Sequence, residues 1–295
     1  MASGGALQVR CPAKINLGLW ILGRRPDGYH EIDTVLQTVA LEDEILLTKA
    51  STFTLATRGV PIGGEGPNII ERAWDLLAAR APMRAGVRVE LTKRIPVGAG
   101  LGGGSSDAAG FVAGVNRLLS LDLTDEEMLD VTARLGSDVP FFLKGGTARA
   151  TGRGTEVRHL CPVPPAWVVL ATPPLAIATS WAYSQVKIPL THAGRGSSIL
   201  AAAIASGDWR SISPHLHNDF EDVVLPEFEV VAGLRRALET SGVLGSLLSG
   251  SGSTVFGLAR TSEEAHEAAR VAAARGATVH VVRTCERGVA LAGLS

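Results

Sequence analysis

The stretch IPVGAGLGGGSSDAAG, residues 95–110, places five glycines in the seven positions from Gly98 to Gly104 and then runs into a helical pattern. A backbone without Cβ atoms lets N–H groups converge on an anion, and a helix that starts there adds its positive N-terminal end. The stretch therefore reads as a phosphate cradle formed by Pro96, Val97, Gly98, Ala99, Gly100, Leu101, Gly102, Gly103, Gly104, Ser105 and Ser106, with Ser105, Ser106 and Asp107 as candidate N-caps. A valine at Gly103 is expected to push its Cβ into the phosphate site. The glycines at 98, 100 and 103 also satisfy G-x-G-x-x-G, but a dinucleotide fold needs a second parallel strand after the helix, and LDLTDEEMLDV reads as another helix. A Walker loop fails because Gly104 stands where the lysine belongs. The loop binds phosphate by a third scheme.

Outward from the loop, GVRVELTKRIPVG leads in with strand alternation, and Phe111, Val112, Val115, Leu118 and Leu119 form one apolar helical stripe behind it. ALQVRCPAKINLGLWIL alternates as a strand with Pro12 at an edge or bend, and RRPDGYHE is a turn in which proline and glycine set the corners. TVLQTVAL and EILLTKASTFTLAT read as further strands, and Ile69–Arg80 as a helix capped by Asn68. TDEEMLDVTARLG carries a capping box, Thr124 with Glu127, and a stop at Gly136. SDVPFFLKGGTARATGRGTEV gives a short loop, an apolar run and a strand pair; AWVVLAT is a buried-type strand. Helical patterns at Ile199–Ser206, Glu227–Thr240 and SEEAHEAARVAAARG precede the strand ATVHVVRT. The mixture implies α+β architecture in two lobes, with units 1–155 and 156–295.

Composition narrows the function classes. Lysine and arginine number 28 against 29 acids, with no basic run, which argues against nucleic acid as a partner. No secretory leader or spanning apolar segment is apparent, and Cys11, Cys161 and Cys285 form no Cys-x-x-Cys pair, so a cytoplasmic setting is expected. The histidines at 159, 192, 215, 217, 266 and 280 have no metal-ligand spacing.

PVGAGLGGGSSDAA resembles the phosphate-binding loop of the GHMP kinases. PAKINLGLWILGRRPDGYHEIDTVLQTV, LGSDVPFFLKGGTARATGRG and LSGSGSTVFGL extend the similarity over nearly the whole chain, toward the branch that phosphorylates the 2-hydroxyl of a cytidylyl methylerythritol in the non-mevalonate route to isoprenoids. The resemblance implies a two-lobed fold of mixed sheets and helices, an active site in the cleft between the lobes, ATP with Mg²⁺, and a small-molecule acceptor. It implies Asp138 as catalytic base with Lys14 as its partner, Asn16, Tyr29, His30 and Tyr183 around the cytidylyl group, and Asn68 and Lys93 beside the adenine or ribose. From the residues alone, Asp138 reads rather as a turn aspartate and Lys14 as an edge lysine, and Tyr29 is equally a hairpin aromatic. A homoserine- or mevalonate-type kinase, a nicotinamide enzyme and a non-catalytic nucleotide binder remain as competing readings.

Overall fold

The computed structural model describes residues 5–63, 66–80, 83, 85–187 and 196–293. Its first elements follow the alternation: β1 (Leu7–Arg24) and β2 (His30–Ala50) form a long antiparallel hairpin, closed where Arg25 N–H donates to the Tyr29 carbonyl at 2.7 Å. Pro12 falls at a register shift of this pairing, the bend its ring demands. The strand expected over EILLTKASTFTLAT breaks: β2 ends at Ala50 and β3 (Thr54–Gly59) lies parallel to β4 (Gly86–Lys93), with α1 (Ile69–Arg80) as the crossover. Parallel neighbours need such a connection, and α1 supplies it over the residues its periodicity marks.

Behind the glycine loop come α2 (Gly103–Leu119), α3 (Asp125–Leu135) and α4 (Val139–Lys144). α2 packs across β1 and β2, flanked by α1, α3 and α4. Phe111, Val112, Val115 and Leu118 are buried on this face; each contributes about 1.5–3 kcal/mol by leaving water. The Thr124–Glu127 capping box is present as read. The apolar run VPFFLK is helical, with Pro140 in the first turn, where its missing N–H costs nothing. β5 (Thr147–Thr151) then pairs with β2, and β6 (Glu156–His159) with β5.

The rest of the chain builds a second sheet. β7 (Trp167–Thr172) is followed by α5 (Thr179–Gln185), α6 (Gly196–Ala205), α7 (Trp209–Ile212) and the two-residue β8 (His217–Asn218). The helix expected over Glu227–Thr240 is α9 (Glu229–Thr240), and an unexpected short helix, α8 (Glu221–Glu227), precedes it, parted from it at Phe228, whose ψ of 86° leaves the helical region. Then come β9 (Gly245–Leu248), β10 (Val255–Ala259), α10 (Ser262–Ala273), β11 (Thr278–Arg283) and β12 (Ala290–Ala292). β11-β7-β10-β9 is antiparallel throughout, whereas β12 and β8 return to β1 in the first sheet. One buried cluster joins the halves: Ile15 and Leu17 of β1 and Leu101 of the glycine loop pack with Phe256 and Leu258 of β10. That contact sets the loop between the two sheets.

Candidate active site

Two segments remote in sequence, β1 and the late glycine stretch, close on the glycine loop. The Lys14 backbone N–H donates to the Leu101 carbonyl at 2.9 Å, Thr254 N–H to the Ala99 carbonyl at 3.2 Å, and Ser249 Oγ to the Gly100 carbonyl at 2.9 Å. A Cβ at Gly100, where φ is +78°, would stand 1.9 Å from the Ser249 carbonyl oxygen, so this approach requires glycine. The late glycine segment is held in turn by Asn218, whose Nδ2 donates to the carbonyls of Leu248 and Gly250 at 2.8 Å each. Asp219 accepts the Ile21 N–H at 2.6 Å. Sequence reading passed over HNDF because nothing in its local pattern reports these partners.

α2 begins at Gly103 after a left-handed Gly102, and no side chain caps it. Ser105, Ser106 and Asp107 lie inside the helix, which corrects their expected role as caps. A capping oxygen would occupy the donors an anion needs; here the free first-turn N–H groups of Gly103, Gly104 and Ser105 line a cleft of about 850 Å³. Ser105 borders that cleft, but Ser106 is buried and its Oγ has no hydrogen-bond partner. Consecutive helical residues point about 100° apart, so only one of the two serines faces the opening. The glycines also differ. A Cβ at Gly103 would strike Ile95 Cγ2 at 2.9 Å and Lys93 Nζ at 3.1 Å, whereas at Gly104 it meets nothing within 4 Å. The expected effect of valine at Gly103 is corrected accordingly: it would hit the loop's support, and Gly104 is the position that opens into the cleft.

That support is an ion cluster. Lys93 Nζ donates to Asp107 Oδ2 at 2.6 Å and also to Asp43, and all three side chains are buried. Asp43 Oδ1 accepts the N–H groups of Arg94 (2.5 Å) and Ile95 (2.9 Å), tying the entry of the loop to the helix at its exit. Burial pushes the Asp107 carboxyl up, to about 7, with Lys93 pulling it down and Asp43 pushing it further up. Burial alone would lower the Lys93 ammonium, but Asp107 and Asp43 outweigh it and raise its pKa. Lys93 therefore meets the cleft from beneath the loop as a neutralised cation. Asn68, which also lines the cleft, caps α1 by accepting the Ile70 N–H at 2.9 Å.

At the other end, Lys14 Nζ lies 3.5 Å from Asp138 Oδ2 and donates to Asn16 Oδ1 at 2.6 Å. Asn16 passes the chain on to Thr34 Oγ1 at 2.8 Å, and Thr34 to the Gly18 carbonyl at 2.6 Å. The Lys14 side chain is 4% exposed, with its backbone bonded to β2 and to Leu101, so it is no edge lysine. Asp138, at 32%, remains open to the cleft from the start of α4. His30 stacks on Tyr183, with centroids 4.6 Å apart and planes 19° apart, and Phe220 meets Tyr183 edge-on at 4.9 Å. Burial, with Asp138 adding to it, pushes the Tyr183 hydroxyl up; burial and Arg24 push the His30 imidazole down. Tyr29 is 54% exposed beneath the Arg153 guanidinium. Tyr183 and Arg153 line the cleft, whereas Tyr29 and His30 stand outside its lining, one contact further out. Sequence reading did not single out Arg153 or Thr34.

Among the described residues no cluster of three or more His, Cys, Asp or Glu side chains could hold a metal ion, and His192 lies outside them. No helix among them is long and apolar enough to cross a membrane.

Two family models match the chain, GHMP kinases N terminal domain over residues 68–146 and GHMP kinases C terminal over 200–278. A 4-diphosphocytidyl-2-C-methyl-D-erythritol kinase of Citrifermentans bemidjiense is 43% identical over 288 residues, 94% of this chain and 99% of the relative. The enzyme of that name from Gloeobacter violaceus is 39% identical, with 96% of each chain covered. Among solved structures, a 4-(cytidine 5'-diphospho)-2C-methyl-D-erythritol kinase superimposes with a TM-score of 0.80 at 34% identity, covering 94% of this chain and 98% of its own. A homoserine kinase from Cytophaga hutchinsonii, at 20% identity and a TM-score of 0.76 with 99% of each chain covered, shares the fold.

Proposed function

The chain belongs to the GHMP kinases, within the family of 4-diphosphocytidyl-2-C-methyl-D-erythritol kinases, and from that premise we propose that it transfers the γ-phosphoryl group of ATP to the 2-hydroxyl of that cytidylyl alcohol. The observation that carries the reading is the Lys14–Asp138 pair, 3.5 Å apart, lining the same cleft as the uncapped start of α2. A fold shared with homoserine kinase does not separate the acceptors, but 43% identity along nearly the full chain favours the cytidylyl one.

In this reading the free N–H groups of Gly103, Gly104 and Ser105 bind the phosphates of ATP, and Asn68 borders its nucleoside. Lys93 acts from below by fixing the loop. The acceptor oxygen attacks the γ-phosphorus, the bond to the β,γ-bridging oxygen breaks, and ADP leaves. The hydroxyl proton passes to the Asp138 carboxylate or, with Asp138 orienting the alcohol, to solvent after transfer. Lys14 sets its positive charge 3.5 Å from that carboxylate and is itself aimed by Asn16. The oxygens of Ser105 and Asp138 in the cleft are the hard donors that suit Mg²⁺. Held there, Mg²⁺ would supply charge neutralisation on the transferring group. Tyr183, His30 and Tyr29 hold the cytosine. The three free thiols fit the reducing cytoplasmic setting that goes with the reading.

The test is ADP release with Mg²⁺ across acceptors: the cytidylyl methylerythritol, mevalonate and homoserine. Turnover with the first alone supports the proposal. Turnover only with one of the others overturns it.

A further inference from the structure

Among the described residues the cations lining the cleft are Lys14, Lys93 and Arg153, and two of them are already neutralised. Lys14 faces Asp138, and Lys93 is enclosed by Asp43 and Asp107. Arg153 makes no ion pair among the described residues. Its Nη2 donates to the Ala133 carbonyl at 3.0 Å, and the guanidinium lies 5.3 Å from the centre of the Tyr29 ring. Asp27, whose carboxyl feels the Arg153 charge, is held by Arg25 at 3.2 Å. Most of the five donors a guanidinium carries are therefore left for something else.

Its position is fixed by the turn that bears it. Gly152 accepts the Ile32 N–H at 2.7 Å, and Gly154 N–H donates to the Thr151 carbonyl at 2.9 Å. A Cβ at Gly154 would stand 3.3 Å from the Cβ of Ser137, so the turn packs on the residue before Asp138. Arg153 thus bridges the neighbourhood of the reacting acid and the Tyr29 side of the aromatic rim. An acceptor with its nucleobase on the aromatics and its alcohol at Asp138 must carry its linking group across that interval.

We infer that Arg153 is a specificity-determining residue that binds the diphosphate joining the acceptor's nucleoside to its alcohol; the inference rests on the cytidylyl acceptor proposed above. The fork of a guanidinium matches phosphate oxygens bidentately, and half-burial strengthens the contact. An acceptor without phosphate, such as homoserine, would leave this cation unused.

The experiment is calorimetric binding of CDP and of cytidine to the full chain, with the adenosine nucleotide site filled by a non-hydrolysable ATP analogue. The wild type is expected to prefer CDP over cytidine by roughly ten- to a hundredfold. Arg153→Gln should erase most of that preference while leaving cytidine affinity in place, and Arg153→Lys should restore part of it. In turnover the acceptor KM rises with the KM for ATP unchanged. Thermal unfolding of both variants identifies any that fails to fold, and the lysine variant then carries the test. A preserved CDP preference in Arg153→Gln overturns the inference. Equal weakening of CDP and cytidine also overturns it, because it would show that Arg153 merely holds Tyr29. A wild type that binds neither probe sinks the cytidylyl acceptor itself, a separate failure.

Discussion

At the glycine-loop end of the cleft the surface offered to a ligand is main chain, while at the acceptor end it is side chain. The loop's carbonyls at Ala99, Gly100 and Leu101 are each taken by a different partner from β1 or the late glycine segment, and beneath it Asp43, Lys93 and Asp107 are buried together. The acceptor end gathers Lys14, Asp138, Arg153 and Tyr183 from four elements, and Tyr29 stands more than half exposed. A surface of backbone donors has one working geometry and tolerates no intruding Cβ. A surface of side chains is tuned residue by residue, so its losses should be graded and confined to one substrate.

The sharpest break would come from Asp138→Asn. It should lower kcat by roughly 10²–10⁴ in steady-state ADP release while the KM for ATP stays put, since the carboxylate meets the acceptor and not the cradle. An unchanged kcat would remove Asp138 from the chemistry. Next, Gly104→Val should raise the KM for ATP about ten- to a hundredfold in a protein that still folds, because its Cβ enters open cleft. Gly103→Val, aimed at Ile95 and Lys93, should instead lower the unfolding temperature. If the two variants behaved alike, the distinction between lining and support would fall. Tyr183→Ala should raise the acceptor KM by roughly tenfold, losing a ring worth about 1–3 kcal/mol to a stacked base, with ATP saturation unaltered.

The smallest effect concerns the ion cluster and is read as stability against pH. The Asp107 carboxyl is raised from 3.8 to about 7 in the folded protein, so the folded state holds a proton there that the unfolded chain has released. Across that window stability falls as pH rises, and above about 7 the full penalty of the buried charge is present. Asp107→Asn removes this slope: its unfolding temperature relative to wild type should climb between pH 5 and pH 8 by a few degrees. A difference independent of pH would mean that Asp107 is ionised throughout at no cost.

How much of this was legible follows from the range of the interactions. Ile69–Arg80, the Thr124–Glu127 box and the stripe from Phe111 to Leu118 are set by residues three or four apart, so periodicity and capping chemistry reveal them. α8 illustrates the limit: its seven residues, Pro226 among them, are too few to show a period, so only α9 beyond Phe228 was read. The proposed acceptor residues were legible only through resemblance, since a lysine at 14 and an aspartate at 138 carry no local sign of meeting.

The sequence by itself determined that five glycines run into an amphipathic helix, the pattern from which an anion site is proposed, that the chain is α+β, and to which kinases it is similar. Tertiary structure alone decided which serine faces the cleft, which glycine opens into it, that Lys93 is spent on Asp43 fifty residues away, and that Arg153 makes no ion pair among the described residues. The physical reason is burial and distance: the charge state and exposure of a side chain depend on neighbours that only the folded chain brings within a few ångströms, and no spacing rule encodes them.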